Sequence, residues 1–398
     1  MGNIKQNHKY ILWNIFIFLC WLPCIAYTVG LYKLVSIGIY SSVVLFSLYF
    51  ILTYNYKKID KFELFLAFFF ILVLILTIIK LKFIDFYVIK DVIYFLLIIL
   101  MFSLIFNQKI DNRMKNILYD IPTYISYLML LFSVFPFSYD NNLYKNALYL
   151  KFQNPNILSY VLLIMLIFST LGFLDYKKKK YIFAILIDLF LIVLTHSRTS
   201  LLASLVFIGL LIFDSKKYKY KINKIFTIFI SLSPVVLCII FILFNGNSFE
   251  LFGKSGVSGR DFIWSKIFET IKISKSFMML GRGSYMANYL DKEFIDAHNA
   301  YLQIICNFGI IIFLVFIIAI VFINIKCGQK IRSKYTFAAY WGTFAILLNC
   351  SFETHIVDAF IGMTFMWIAL YWILLSEGDS CNDNISKTIN GKTAINKK

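Results

Sequence analysis

Three segments of the chain carry arginine or histidine beside long apolar runs, where such groups could bind an anion and move a proton. They are THSRTSLL (Thr195–Leu202), SGRDFIW (Ser258–Trp264) and DAHNAYLQ (Asp296–Gln303). A guanidinium such as Arg198 or Arg260 can hold phosphate oxygens through two parallel hydrogen bonds. An imidazole such as that of His298 can accept a proton near neutral pH. These residue types suit a transfer reaction on a substrate that carries phosphate.

Each of these residues also has a structural explanation that the sequence leaves open. Arg260 could anchor an amphipathic helix at lipid headgroups, and Arg198 could reach the headgroups from a turn. His298 and Asn299 could together cap the helix that follows them. Arg282 lies between glycines in GRGS (Gly281–Ser284), a pattern that by itself is typical of a turn.

His196 and Arg198 lie between two apolar runs, and ionisable groups at membrane depth are costly unless paired, which favours a functional role. Several histidines and carboxylates could be imagined as a metal site. They are His196, His298, His355, Glu353, Asp358 and Asp296. No HxxxH or HxH spacing supports this site, and the cysteines lack zinc spacing, so we predict no metal site and no cofactor.

The elements that must position these residues are membrane helices. The chain has 398 residues, of which 60% are hydrophobic and only 15% charged. Soluble domains have about 25% charged residues, so a water-soluble globule is excluded, as are a disordered chain and a disulfide scaffold. The apolar runs are long enough to cross a bilayer as helices. We therefore predict an all-α polytopic membrane protein with about 12 transmembrane helices.

The predicted spans follow from the apolar runs alone. They are 11–29, 35–54, 62–79, 89–106, 117–136, 157–174, 181–195, 199–213, 225–244, 300–323, 335–353 and 359–375. Basic clusters such as Lys177–Lys180 and Lys216–Lys224 mark the cytoplasmic side, which places both termini in the cytoplasm. The net charge of +18 is mostly this orientation signal together with attraction to anionic lipid, and it does not call for nucleic acid.

One segment outside the spans is long, and long loops in compact proteins are usually functional or disordered. This predicted extracytoplasmic loop covers 245–297. Trp264, Phe268 and Ile271 recur within it at helical spacing after Ser258, which could serve as an N-cap, and they predict a short amphipathic helix over roughly 260–273. The predicted organisation is a transmembrane domain at 1–375 and a disordered cytoplasmic tail at 376–398.

Taken together, the motifs resemble the O-antigen polymerase/ligase family of multi-pass bacterial glycosyltransferases. The resemblance rests on LTHSRTSLLASL, on SGRDFIW followed by GRGS, and on AHNAYLQIICNFGII, with QNPN (Gln153–Asn156) as a looser match. It covers roughly residues 150–325. It implies about a dozen helices and metal-independent transfer of sugar from a polyprenyl-diphosphate carrier.

The resemblance also implies roles for individual residues. Arg198 matches the arginine of the family's SR motif, Arg260 matches that of its outer loop, and His298 matches the histidine of its HN-x-x-L motif. Thr195 and His196 before the SR pair, and a rather short loop, depart from the family pattern and leave the branch open. Arg198 and Arg260 would bind the diphosphate and His298 would be the catalytic base. Further substrate contacts are expected from Arg282, Asn299 and His196.

We therefore predict a polysaccharide polymerase, for capsule or O-antigen, that joins undecaprenyl-diphosphate-linked repeats at the outer face of the bacterial cell membrane with inversion. A ligase that moves finished glycan to a lipid or protein is the close alternative, and the moderate loop length favours the polymerase. A chain-length regulator and a flippase are expected partners besides membrane lipid. A transporter would predict matched halves and ionisable groups at the midplane, where Asp188 is the main example, and a scaffold would tolerate alanine at every named position.

Overall fold

The computed structural model describes most of the helical framework. The described residues are 2–54, 86–140, 146–213, 224–243, 260–281, 297–354 and 362–377, with short pieces at 64–65, 68–69, 71–72, 75, 250–251 and 254–255. The predictions for Ser258, Arg282, Asp296, His355 and Asp358 lie outside these residues. Most of the predicted span 62–79, most of the loop 245–297 and residues 378–398 of the tail also lie outside them.

The described chain is helical apart from very short strands. Its α-helices are α1 (Gly2–Val29), α2 (Tyr32–Thr53), α3 (Phe86–Asn107), α4 (Asn112–Ser133), α5 (Pro155–Tyr176), α6 (Lys179–Leu194), α7 (Arg198–Phe213), α8 (Lys224–Leu243), α9 (Arg260–Ile273), α10 (Lys275–Leu280), α11 (Ala300–Gly328), α12 (Lys334–Cys350) and α13 (Gly362–Glu377). A 3₁₀ turn covers Pro136–Ser138. Two-residue strands pair antiparallel, β1 (Tyr139–Asp140) with β2 (Ala147–Leu148) and β3 (Glu250–Leu251) with β4 (Lys254–Ser255).

Four helices are both long and apolar enough to cross a membrane, and shorter apolar helices accompany them. The four are His8–Val29 within α1, all of α2, all of α5 and all of α11. The prediction of a multi-pass helical membrane protein is therefore confirmed, while the total of about 12 crossings stays a prediction. The predicted helix at 260–273 is present as α9.

Two predicted boundaries differ from the observed ones at functionally relevant places. The apolar run ending at 353 predicted a helix to that point, but α12 ends at Cys350 and the next residues turn away. Glu353 therefore lies in a turn after the helix, with its backbone held by contacts to another element. Helix α13 continues to Glu377, beyond the predicted start of the tail at 376.

Helices α5 and α13 form the centre of the bundle. Every residue from 158 to 172 in α5 and from 362 to 376 in α13 is buried. By contrast, α2 exposes large apolar side chains such as Tyr40 and Leu52. An apolar face that no protein covers is what lipid-facing helices present, because lipid tails are as apolar as leucine. Asn154 begins α5 by accepting a hydrogen bond from the Asn156 backbone N–H at 2.8 Å, the usual N-cap arrangement.

Helix α11 is broken at Gly309, and α10 packs into the break. Gly309 has φ of 83° and ψ of 175°, a backbone conformation that only glycine adopts readily. A Cβ atom at Gly309 would lie 2.2 Å from the Met279 carbonyl oxygen, and one at Gly281 would lie 2.6 Å from that of Cys306. The two backbones therefore interlock, and this contact fixes the end of the α9–α10 segment against α11.

The helices gather charged groups at two opposite ends of the bundle. At one end, which we call the lysine-rich end, Lys115 pairs with Glu377 and Lys180 pairs with Asp120. At the other end, which we call the site end, the starts of α5, α7 and α11 meet the last turn of α12 and the residues after it. Because α5 runs from one end to the other, its N-terminus faces the site end and its C-terminus faces the lysine-rich end.

Candidate functional site

Glu353 joins two of the residues that the motifs singled out. One of its carboxylate oxygens, Oε1, forms an ion pair with the Arg260 guanidinium. The other, Oε2, lies 3.9 Å from Nδ1 of His298. The Glu353 side chain is only 3% exposed, whereas Arg260 is 12% and His298 is 32% exposed. A buried carboxylate thus stands between a guanidinium and an imidazole, and the imidazole is the group that solvent or substrate reaches best.

The chain around His298 is held from several sides. The Trp264 indole N–H of α9 donates to the Ala297 carbonyl at 2.9 Å. The Ala297 N–H donates to the side-chain oxygen of Gln303 at 2.8 Å. Gln303 in turn donates from Nε2 to Asn307 at 2.8 Å. The loop before α11 is therefore fixed both by the amphipathic helix and by the helix that it enters.

Asn299 has a structural role in this arrangement. Its side-chain oxygen accepts from the Tyr301 and Leu302 N–H groups at 2.9 and 3.0 Å, which makes it the N-cap of α11. Its Nδ2 donates to the Ser351 carbonyl at 2.6 Å, and the side chain is fully buried. The Ala300 N–H also donates to the Glu353 carbonyl at 3.0 Å. Asn299 thereby joins the start of α11 to the turn that carries Glu353.

His298 and His196 both adopt a left-handed backbone conformation. Their φ angles are 44° and 54°. Residues other than glycine seldom adopt positive φ, although histidine does so more often than most. Such conformations persist where surrounding contacts over-determine them and recur at functional sites. The fixed loop described above supplies those contacts for His298, so the imidazole is presented from a rigid turn.

Arg198 is the first residue of α7 and lies close enough to Arg260 for the two positive charges to act on each other. Two residues further along α7, the Ser200 hydroxyl lies 2.7 Å from that of Ser159 in α5. The same hydroxyl accepts from Nδ2 of Asn349, in the last turn of α12, at 2.8 Å. This buried polar network ties the starts of α5 and α7 to the helix that precedes Glu353.

Three helix N-termini converge on this region, those of α5, α7 and α11. Each helix N-terminus carries about half a positive charge from its unpaired N–H groups and is a ready binding site for anions. Arg198 and Arg260 add two full charges. Glu353 neutralises part of this positive charge, so among the described residues the site end combines arginines and helix N-termini with a buried carboxylate and the partly exposed imidazole of His298.

The structure brings together Arg198, Arg260 and His298, which lie far apart along the chain. It places His196 half-buried in the turn before α7, and it leaves Arg282 outside the described residues. Sequence reasoning missed the importance of Glu353, which it considered only for a metal site, and of Trp264 and Gln303 as supports. A carboxylate at the end of a predicted apolar span was the available signal for Glu353. Within the described part of the chain, no group of three or more His, Cys, Asp or Glu residues could hold a metal ion.

A comparison with known families identifies part of the chain. Residues 181–317 match the family described as O-Antigen ligase. This range runs from α6 into α11 and contains Arg198, Arg260 and His298. No curated protein matches the chain. The resemblance that the motifs indicated over roughly 150–325 is therefore confirmed for an O-antigen ligase domain at residues 181–317.

Proposed function

Starting from this ligase-family domain, we propose that the protein is a polysaccharide polymerase. It would transfer oligosaccharide repeats from undecaprenyl diphosphate to a growing glycan, for capsule or O-antigen, at the outer face of the bacterial cell membrane. The observation that carries the proposal is the meeting of Arg198, Arg260 and His298 at one end of the bundle. These are the residues that family resemblance assigned to the diphosphate and to the acceptor.

Binding of the donor would use the positive charge of the site end. Arg198 and Arg260 can each offer a pair of N–H groups to phosphate oxygens, and the N-termini of α5, α7 and α11 add their partial charges. The same groups would stabilise the charge that develops on the leaving diphosphate in the transition state. Apolar faces such as that of α2 explain how the polyprenyl tail could remain in lipid while its headgroup reaches this end.

His298 would act as the general base. A hydroxyl of the acceptor sugar attacks the anomeric carbon of the donor, and its proton passes to the imidazole. As the new carbon–oxygen bond forms, the bond from the anomeric carbon to the diphosphate oxygen breaks, and undecaprenyl diphosphate leaves with the electron pair. Because this is a single direct displacement, the anomeric configuration inverts. His196, Asn299 and Arg282 are proposed as additional contacts to the sugars, with Asn299 acting mainly by positioning the loop.

The reaction as proposed needs no metal ion, since arginines and helix N-termini supply the positive charge. Treating the purified protein with EDTA measures this directly. We expect transfer to continue at its original rate, and a loss that added metal restores would refute metal-independent transfer.

Deletion of the protein tests the function, and analysis of the glycan separates it from the alternative. We expect a strain without the protein to carry single repeats on the final acceptor, because repeats are still made and transferred. The alternative is an O-antigen-type ligase, which the description of the matching family favours. In that case long polymer would accumulate on the carrier lipid instead.

Both termini are proposed to be cytoplasmic, with 245–297 outside, and reporter fusions at each loop would measure this.

A further inference from the structure

We infer that Glu353 is a positioning residue whose carboxylate changes partner when the donor binds. It would leave the Arg260 guanidinium and bind Nδ1 of His298. In the structure its carboxylate holds Arg260. Once a diphosphate draws that guanidinium away, the carboxylate would hold Nδ1 of His298 instead. The base would then become competent only when the donor is in place. This inference rests on the proposed function and deepens it by coupling the two halves of the site.

The carboxylate must always have a partner because it is buried. Glu353 is 3% exposed, so water does little to stabilise its charge. A buried charge that loses its partner costs several kcal/mol. Among the described residues, Arg260 of α9 lies against one carboxylate oxygen and His298 of the loop before α11 lies near the other. If Arg260 turns toward a diphosphate, the imidazole of His298 is close enough to take its place beside the carboxylate.

Arg260 is placed to respond to an anion. Arg198 at the start of α7 lies near enough for the two positive charges to act on each other. A diphosphate that bridges the two guanidinium groups would remove this repulsion and offer more negative charge than one carboxylate. The donor would therefore compete with Glu353 for Arg260.

The Glu353 carboxylate needs only a small movement to reach His298. Oε2 lies 3.9 Å from Nδ1, which is beyond hydrogen-bond length. A shift of about 1 Å would bring the two atoms to an ordinary hydrogen bond. The backbone of the turn stays fixed, because the Ser351 and Glu353 carbonyls accept hydrogen bonds from Asn299 and Ala300. The approach to Nδ1 would therefore come from rotation of the Glu353 side chain while its backbone stays in place.

A hydrogen bond from Nδ1 to the carboxylate would fix which nitrogen of the imidazole carries the proton. With its proton on Nδ1 directed to the carboxylate, the ring has its lone pair on Nε2, ready to accept a proton. The carboxylate would also stabilise the imidazolium formed when the acceptor hydroxyl gives up its proton. Glu353 touches neither sugar nor diphosphate in this scheme and acts only through its two neighbours.

The test compares donor binding with transfer in Glu353→Gln, using full-length protein in lipid nanodiscs. Binding of undecaprenyl diphosphate is measured by native mass spectrometry, and transfer is measured with lipid-linked repeats extracted from a deletion strain. Because glutamine no longer competes for Arg260, we expect binding as tight as wild type or up to about tenfold tighter. We expect transfer at least about 100-fold slower, the scale of general-base effects. Equal losses of binding and transfer would instead show a merely structural ion pair and overturn the inference.

A second pair of variants covers the case in which Glu353→Gln does not fold. Arg260→Gln should weaken donor binding, and adding Glu353→Gln to it leaves two neutral amides in place of the pair. If Glu353 serves His298, the double variant transfers more slowly than Arg260→Gln at saturating donor. If Glu353 only neutralises Arg260, the double variant is equal or faster, since an unpaired buried carboxylate has been removed. Glu353→Asp keeps the carboxylate and should therefore transfer faster than Glu353→Gln, although more slowly than wild type.

Two controls separate failure of this inference from failure of the proposed function. Glu377→Gln removes a carboxylate from an ion pair at the lysine-rich end and should change neither binding nor transfer. If wild-type protein neither binds undecaprenyl diphosphate nor transfers repeats, the proposed function is wrong. If wild-type protein does both, and Glu353→Gln transfers normally, the change of partner by the Glu353 carboxylate is refuted while the proposed function stands.

Discussion

The two ends of the bundle contain similar charged groups but arrange them differently. At the lysine-rich end two lysines each pair with a carboxylate of their own, Lys115 with Glu377 and Lys180 with Asp120. At the site end one carboxylate, Glu353, faces both a guanidinium and an imidazole. One-to-one pairing holds helices together, whereas a shared partner leaves positive charge with which an anionic ligand can interact.

The helix dipoles add to this difference. Helices α5, α7 and α11 direct their N-termini to the site end and their C-termini to the other. Lys326 lies in the last turn of α11, and Lys177 follows α5 directly. Cations are favourable at helix C-termini and anions at N-termini. The same three helices therefore stabilise resident lysines at one end and an incoming diphosphate at the other.

The largest expected effect comes from removing the imidazole at the site end. His298→Ala should lower transfer at least about 100-fold, because a positioned general base contributes on the order of 10²–10⁴ to rate. Membrane abundance should not change, since the side chain is partly exposed and the loop is held by Trp264 and Gln303. Polymer length on the cell surface and the amount of protein in membranes are measured together. Normal polymer in this variant would remove the histidine from its proposed role.

The next effect tests whether charge alone is enough at the site end. Arg198→Lys keeps the positive charge but loses the two parallel N–H groups that can hold phosphate oxygens. We expect roughly tenfold slower transfer, which corresponds to about 1.4 kcal/mol, the scale of a charged hydrogen bond. Rates of transfer at saturating donor measure it. A fully active lysine variant would rule out paired hydrogen bonds from this position.

A smaller effect is expected from the support beneath His298. Trp264→Phe leaves a smaller aromatic ring in place and removes the N–H that donates to the Ala297 carbonyl, and loss of that hydrogen bond costs about 1–3 kcal/mol. We expect transfer to fall several-fold together with a lower unfolding temperature. Trp341→Phe is the matched control, because the buried Trp341 indole N–H has no hydrogen-bond partner within the described residues. Equal losses of transfer in both variants would show that the bond to Ala297 does not position the loop.

Much of this arrangement could be predicted from the sequence, because membrane helices are encoded locally. Apolar runs gave most of the helices, and the spacing of Trp264, Phe268 and Ile271 gave α9. Motif resemblance singled out Arg198, Arg260 and His298. What bound them together depended on tertiary contacts that no local pattern encodes.

Glu353 is the clearest example of what local patterns do not encode. It belongs to an apolar run that predicts a helix to residue 353, whereas in the structure Asn299 and Ala300 hold the segment that follows the end of α12 at Cys350. The break at Gly309 is similar. The break makes room for the segment around Gly281, which is distant in sequence and adjacent in space.

The smallest effect is expected at the lysine-rich end and completes the comparison. Lys180 contacts Asp120 at 2.6 Å, but the two side chains are 26% and 35% exposed, and Asp120 also accepts a hydrogen bond from Tyr181 at 2.7 Å. Exposed pairs contribute about 0–1 kcal/mol, so Lys180→Ala should lower the unfolding temperature slightly and leave transfer unchanged. Thermal unfolding and polymer length measure the two quantities separately. If transfer falls while the protein stays folded, the lysine-rich end takes part in the reaction. The assignment of a purely structural role to that end would then be wrong.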